Sequence, residues 1–216
     1  MDLLSNPVFG GITEEEYADM CACGCVRTAE YSGGSYLFRC GDKTREFGVL
    51  LSGKIHIEST DLWGNRVILH DLSAGQAFSE TYAFCGAPMM VDVAAVGDCK
   101  VLYIHLGAML GEGRSRGWYE KMLYNLLALS SAKNLAWSGR MLCITAKGIR
   151  ARVMANLSSE AVKRGSRSFA LPFDRQQMAD YLNVERSALS KELGRMKREG
   201  ILDFDRNYFR LYTLDG

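Results

Sequence analysis

Two groups of residues in this chain have the types and spacing to do chemistry. The first is basic. Arg186, Ser187, Ser190, Lys191, Arg195, Lys197 and Arg198 share one short segment. Clustered guanidinium, ammonium and hydroxyl groups of this kind bind anions, phosphate above all. The second group is sulfur. Cys21, Cys23 and Cys25 alternate with Ala22 and Gly24, while Cys40, Cys85, Cys99 and Cys143 are scattered behind them. The opening MDLLSNPVFGGITEEEY has neither the basic start nor the apolar core of a signal peptide, and no apolar run reaches the length of a bilayer span. The expectation is a cytoplasmic protein with no membrane partner, whose cysteines are thiols or ligands rather than a disulfide framework. The three histidines, His56, His70 and His105, lie far apart, and no nucleophile elbow, phosphate loop or metalloprotease helix is present. The sequence therefore reads as that of a non-enzyme.

The basic segment needs an element that presents it, and the stretch from Asp174 to Gly200 supplies one. Asp174 stands three residues before Gln177, the capping-box spacing. Met178, Ala179 and Leu182 give the first helix an apolar side. Asn183 tolerates the left-handed conformation of a tight turn. Leu189, Leu193 and Met196 recur at i, i+4 and i+7 on a second helix, whose remaining faces carry the basic residues. Gly200 ends it. Ile201–Phe204 and Tyr208–Tyr212, separated by Asp205-Arg206-Asn207, read as a hairpin. Two crossed helices followed by a hairpin make a winged helix-turn-helix, with a second helix of the right size for the DNA major groove.

Charge is distributed to match. The chain of 216 residues has a formal net charge of +1, yet residues 147–216 hold 14 Lys and Arg against 9 Asp and Glu, and residues 1–146 hold 12 against 16. The C-terminal part is the one suited to phosphate.

Upstream, residues 12–24 predict a short helix with Thr13 as N-cap and Glu14, Glu15 and Glu16 in its first turn. Short strands are expected at 35–39, 47–51, 54–59, 66–70, 90–96 and 99–104, separated by turns such as Trp63-Gly64-Asn65, which predicts a β-sandwich or barrel. From Gly113 to Arg140, apolar residues recur at helical spacing. Residues 145–164 predict a further helix, and Phe169–Phe173 a strand leading into the helix-turn-helix.

Gly41-Asp42, Val49-Leu50-Leu51-Ser52-Gly53-Lys54-Ile55-His56-Ile57, Gly64 and Gly75-Gln76-Ala77-Phe78-Ser79-Glu80 resemble the sensor domain of Crp/Fnr-type transcription regulators, and the resemblance continues in order to the C-terminus. It implies an α+β fold: an N-terminal, cyclic-nucleotide-binding-like β jelly roll over residues 1–112, a long dimerisation helix over 113–144, and a winged helix-turn-helix over 145–216. It implies a homodimer joined through Trp118, Met122, Leu126 and Leu129, double-stranded DNA as partner with a palindromic operator, and a contact with RNA polymerase. Base contacts then fall on Arg186, Ser187 and Lys191, and phosphate contacts on Arg175, Gln176, Ser190 and Arg195. Many relatives have glutamate where this chain has Ser187, so their operator does not transfer.

Cyclic-nucleotide sensors of the family hold the phosphate with an Arg-Ser or Arg-Thr pair. Met89 and Met90 fall on that pair here, and no Lys or Arg occurs between Gly75 and Val96. An anion buried without a cation is prohibitively costly, so the expected effector is not cAMP or cGMP. Phe78, Glu80, Tyr82, Phe84, Met89 and Met90 mark the effector region, filled by its own side chains or open to an uncharged or aromatic ligand. Oxygen sensors of the family use an N-terminal cysteine cluster to hold an iron–sulfur cluster, which makes Cys21, Cys23 and Cys25 candidate ligands; idle thiols or a dithiol switch are the alternatives. Residues two apart on a helix point to different sides, which argues against convergence. A cupin-like metalloenzyme would share the jelly roll, but it needs clustered histidines that this chain lacks.

Overall fold

The computed structural model describes residues 3–60, 63 and 66–212. Gly64 and Asn65, expected in the turn after residue 59, lie outside them. The chain divides into two compact units, Met1–Leu129 and Ser130–Gly216.

The first unit is built on two four-stranded antiparallel sheets. One has the order β1-β8-β3-β6, from Val26–Tyr31, Cys99–His105, Glu46–Ser52 and Ala77–Phe78. The other has the order β2-β7-β4-β5, from Tyr36–Phe38, Asp92–Ala95, Lys54–Thr60 and Arg66–Ser73. The strands expected at 47–51, 54–59 and 99–104 are present with slightly different ends. Two strands went unread. β1 has little apolar alternation, because as an edge strand it carries charges paired across the sheet, Arg27 with Glu46 and Glu30 with Lys100 at 3.0 Å. β6 is only two residues long, too short for any pattern.

Period-two alternation then sorts the core. Leu50, Val101 and Tyr103 face the second sheet, packing with Ile55, Leu72 and Val93. Phe47, Val49, Leu102 and Ile104 face the other way. There they meet the helical layer: α1 (Glu14–Ala22), the short α3 (Leu106–Leu110) and the start of α4 (Tyr119–Thr145). Strands β3 and β8 are apolar nearly throughout because both their faces are covered.

Thr13 caps α1 through a complete capping box, its hydroxyl accepting from the Glu16 amide at 3.2 Å and its own amide donating back to the Glu16 carboxylate at 2.9 Å. The same helix holds the start of α4. Asp19 accepts from Arg116 at 2.7 Å and from the Trp118 indole at 2.8 Å, and Glu16 accepts from Lys121 at 2.8 Å. This alters the expectation for the long helix. Trp118, Met122 and Leu126 are buried within a single chain, in the core of the first unit, and Leu129 packs against that core. Their burial is accounted for without a second copy. Glu112–Ser115 form a 3₁₀ turn, and α4 proper begins at Tyr119.

The second unit holds the end of α4, α5 (Ile149–Arg164), α6 (Arg175–Leu182), α7 (Arg186–Arg198) and a three-stranded sheet of order β10-β11-β9, from Leu202–Asp205, Tyr208–Leu211 and Ser168–Ala170. The helix expected from residue 145 begins later, because Gly148, at φ 85°, breaks the chain between α4 and α5.

One close approach keys the first unit. Phe78 lies against Gly48, where a Cβ would stand 2.2 Å from its ring. The same ring meets Phe38 and Tyr103 edge-on. Gly48→Ala should therefore destabilise the first unit by about 1–3 kcal/mol through overpacking. Thermal and denaturant unfolding would measure it, and an unchanged midpoint would show that the ring can move aside without cost.

Candidate nucleic-acid interface

The helix-turn-helix is assembled from local signals that the chain writes plainly. Asp174 accepts from the Gln177 amide at 2.8 Å, and its own amide donates to the Gln177 side chain at 2.9 Å. Asn183 takes the left-handed conformation, φ 51° and ψ 56°, and Val184 donates to the Ala179 carbonyl at 3.0 Å. Glu185, a poorer cap than Ser or Thr, nevertheless caps α7. Its carboxylate accepts from the Ala188 amide at 3.1 Å and from the Ser187 hydroxyl. Those hydrogen bonds, the Ser187 one foremost, hold the Glu185 carboxyl below its usual range. Leu189, Leu193 and Met196 are fully buried.

Three arginines that local sequence reasoning missed set the position of α7. Arg140 on α4 donates to the carbonyls of Tyr181 and Asp180, both at 3.1 Å. Arg152 on α5 donates to those of Leu182 at 3.2 Å and Asn183 at 2.8 Å. Between them they donate to the carbonyls at the end of α6, of which Asp180 also accepts from the Asn183 amide at 3.2 Å, a place where a helix dipole favours cations. Arg150 reaches Glu192 at 2.7 Å and Glu199 at 2.6 Å, tying α5 to α7. These partners lie 30 to 49 residues apart along the chain, so no spacing rule reveals them.

The acids of α7 and its flanks are thus engaged within the unit: Glu185 by the cap, Glu192 and Glu199 by Arg150. What remains outward is basic or hydroxylic. Arg186, Ser187, Ser190 and Lys191 are all exposed, and among the described residues Arg186 and Lys191 have no ion-pair partner. Arg195 is exposed while pairing with Glu199 at 2.9 Å. Gln176 donates to Asp180 at 2.8 Å. Arg175 is differently placed. Its guanidinium lies over the rings of Phe204 and Phe209 and donates to the Arg206 carbonyl at 3.0 Å, joining α6 to the wing. Burial lowers its pKa.

In the first unit the residues of the expected effector region scatter. Phe78 and Met89 are core, and Tyr82 packs against them. Glu80 opens the short helix α2 (Glu80–Cys85), half-buried, while Phe84 and Met90 are exposed. Ser79, which precedes that helix, takes φ 65°. The cysteines divide too. Cys21 is exposed beside Tyr17, whose phenol is pushed up to about 12 by burial and then by Cys21. Cys23 and Cys25, expected to point apart, place their sulfurs 3.1 Å from each other. Among the described residues no three His, Cys, Asp or Glu side chains converge as a metal site.

Comparison with known proteins agrees with this architecture. Residues 28–112 match the cyclic nucleotide-binding domain, and residues 151–216 match the Crp-like helix-turn-helix domain. The chain belongs to the Crp/Fnr family of transcription regulators. No curated protein matches it by sequence. The catabolite activator protein of Thermus thermophilus is 21% identical with a TM-score of 0.57, the match covering 95% of this chain and 93% of that one. CprK complexed with OCPA is 17% identical with a TM-score of 0.65, covering 93% and 92%. The c-di-GMP-responsive global regulator CLP of Xanthomonas campestris is 16% identical with a TM-score of 0.55, covering 91% and 99%. At these identities the likeness is one of fold. No helix among the described residues is long and apolar enough to cross a membrane.

If Arg152 holds the end of α6, Arg152→Ala should lower the stability of the second unit by about 1.5–3 kcal/mol, the range for hydrogen bonds from a charged donor. A loss under about 0.5 kcal/mol in urea unfolding, typical of neutral surface changes, would show that those carbonyls are satisfied without it.

Proposed function

We propose that the chain is a sequence-specific DNA-binding regulator that acts as a homodimer on a palindromic operator. The observation that carries this reading is the outward face of α7, which is basic and hydroxylic because its acids are engaged elsewhere in the fold. Arg186 and Lys191 are the base-reading cations, suited to guanine O6 and N7, with Ser187 beside them. Ser190, Gln176 and Arg195 serve phosphate and fix register. Arg175 contributes to phosphate binding from its place against the wing.

The dimer seam we assign to a different face of α4 from the one the sequence suggested. Tyr124, Ala128, Ser131, Leu135, Ser138 and Leu142 follow alternating steps of four and three, the heptad spacing of a two-helix seam, and all six are exposed in the single chain. Leu135 is 76% exposed, and Tyr124 and Leu142 are each 73% exposed, a poor state for apolar side chains unless another helix covers them. A two-fold pair would place two α7 helices on half-sites about one helical turn apart. The effector is not a cyclic nucleotide held in the family manner, since Met89 is core and Met90 offers no charge. Contact with RNA polymerase rests on family membership.

Two measurements test this. On a selected operator, Arg186→Ala or Lys191→Ala should cost about 1–3 kcal/mol and relax specificity at one base pair, whereas Arg195→Ala should weaken binding to all sequences alike and flatten its salt dependence by about one charge. Binding that ignores salt, or survives reversal of both charges, would refute the interface. Leu135→Glu should shift the protein to monomer in analytical ultracentrifugation with its melting temperature retained. A dimer that tolerates it would place the seam elsewhere.

A further inference from the structure

We propose that Cys23 and Cys25 form a redox-active dithiol, a modification site that closes to an intrachain disulfide when a hydroperoxide reaches it. The site is made by how α1 ends. Cys23 is the C-cap residue, Gly24 turns left-handed at φ 70°, the Gly24 amide donates to the Cys21 carbonyl at 3.1 Å, and the Cys25 amide donates to that of Met20 at 2.9 Å. This is a Schellman turn. It brings the residues before and after the glycine to one side, which a continuing helix would not do. The Cys23 thiol donates to the Cys25 sulfur at 3.1 Å. A disulfide bond is about 2.05 Å long, so closure asks the sulfurs to approach by about 1 Å. The ordering that usually opposes such a bond is already supplied by the fold.

The two sulfurs have unequal access. Cys25 is fully buried in the core of the first unit and Cys23 is partly exposed. Cys23 is therefore the thiol that meets the oxidant. Its sulfur attacks one peroxide oxygen, the O–O bond breaks, and the sulfenic acid forms as water leaves. The Cys25 sulfur then attacks the sulfenic sulfur, a second water leaves with the Cys25 proton, and the S–S bond is made. Two thiols lose two protons and two electrons, and one hydrogen peroxide becomes two waters. Cys21 has no part in the bond, being turned towards Tyr17.

The location gives the bond something to act on. It would close at the C-terminus of α1, the helix whose Asp19 and Glu16 hold Arg116, Trp118 and Lys121 at the start of α4. Oxidation would thus restrain the helix that anchors the chain's longest one. The chemistry stands whether or not the protein reads DNA.

The test uses the full chain, reduced, exposed to graded hydrogen peroxide, alkylated and digested with trypsin. Cys21, Cys23 and Cys25 all fall in the first tryptic peptide, Met1–Arg27. The expected product is that peptide lighter by two hydrogens and carrying one alkyl group, on Cys21. Reductant should restore three alkyl groups. Cys21→Ser should leave the oxidation intact, and Cys23→Ser, at a partly exposed position with little packing to lose, should abolish it. Cys40 and Cys85, both exposed, are internal controls. Three alkyl groups persisting while those controls oxidise, a disulfide through Cys21, or added oxygen without a disulfide would each overturn the proposal.

Discussion

Four carbonyl oxygens at the end of α6 govern how the second unit presents its surface. A helix that stops inside a protein leaves carbonyls that must find donors. Here the turn at Asn183 supplies a donor to only one of them, its amide donating to the Asp180 carbonyl at 3.2 Å. Arg140 and Arg152 reach in from α4 and α5 to that carbonyl and to the others. The angle between α6 and α7 is therefore set by two guanidinium groups on two other helices, as well as by the core of Leu182, Leu189 and Leu193. Arg150 extends the arrangement by neutralising acids on and beside α7. The exposed basic face is a product of this ordering as much as of composition.

The first unit solves a different problem. Its inner sheet is covered on both faces, by the second sheet and by a helical layer. Trp118, Met122 and Leu126 belong to that layer, which leaves the opposite flank of α4 bare. One helix thereby supplies apolar residues to its own core and a separate apolar stripe to the exterior. The two stripes overlap in sequence, and only burial tells them apart.

Much of this was legible in the sequence where the physics is local. The N-cap at Thr13, the capping box at Asp174, the left-handed Asn183, the buried face of α7 and the hairpin after Gly200 are short-range features, and each was read from its own residues. The antiparallel β architecture followed from short strands and turns. What escaped was long-range or below the length of any pattern: the edge strand β1 whose charges pair across the sheet, the two-residue β6, the helix α2, and the arginines that act over 30 residues or more. The cysteines failed for another reason. The argument that residues two apart diverge assumes a helix, and the helix had ended at Ala22. Likewise the stripe through Trp118 was real, but periodicity does not say whether its cover comes from the same chain.

The seat of Phe78 over Gly48 bears on what the jelly roll could ever admit. A ring that fills the interior is a ligand the protein carries with it, present at an effective concentration no free molecule matches. Any guest entering there must first evict that ring, and its observed affinity would be discounted by the work of eviction. Residue 48 thus acts as an allocation rule: while it lacks a side chain, the space belongs to the protein itself.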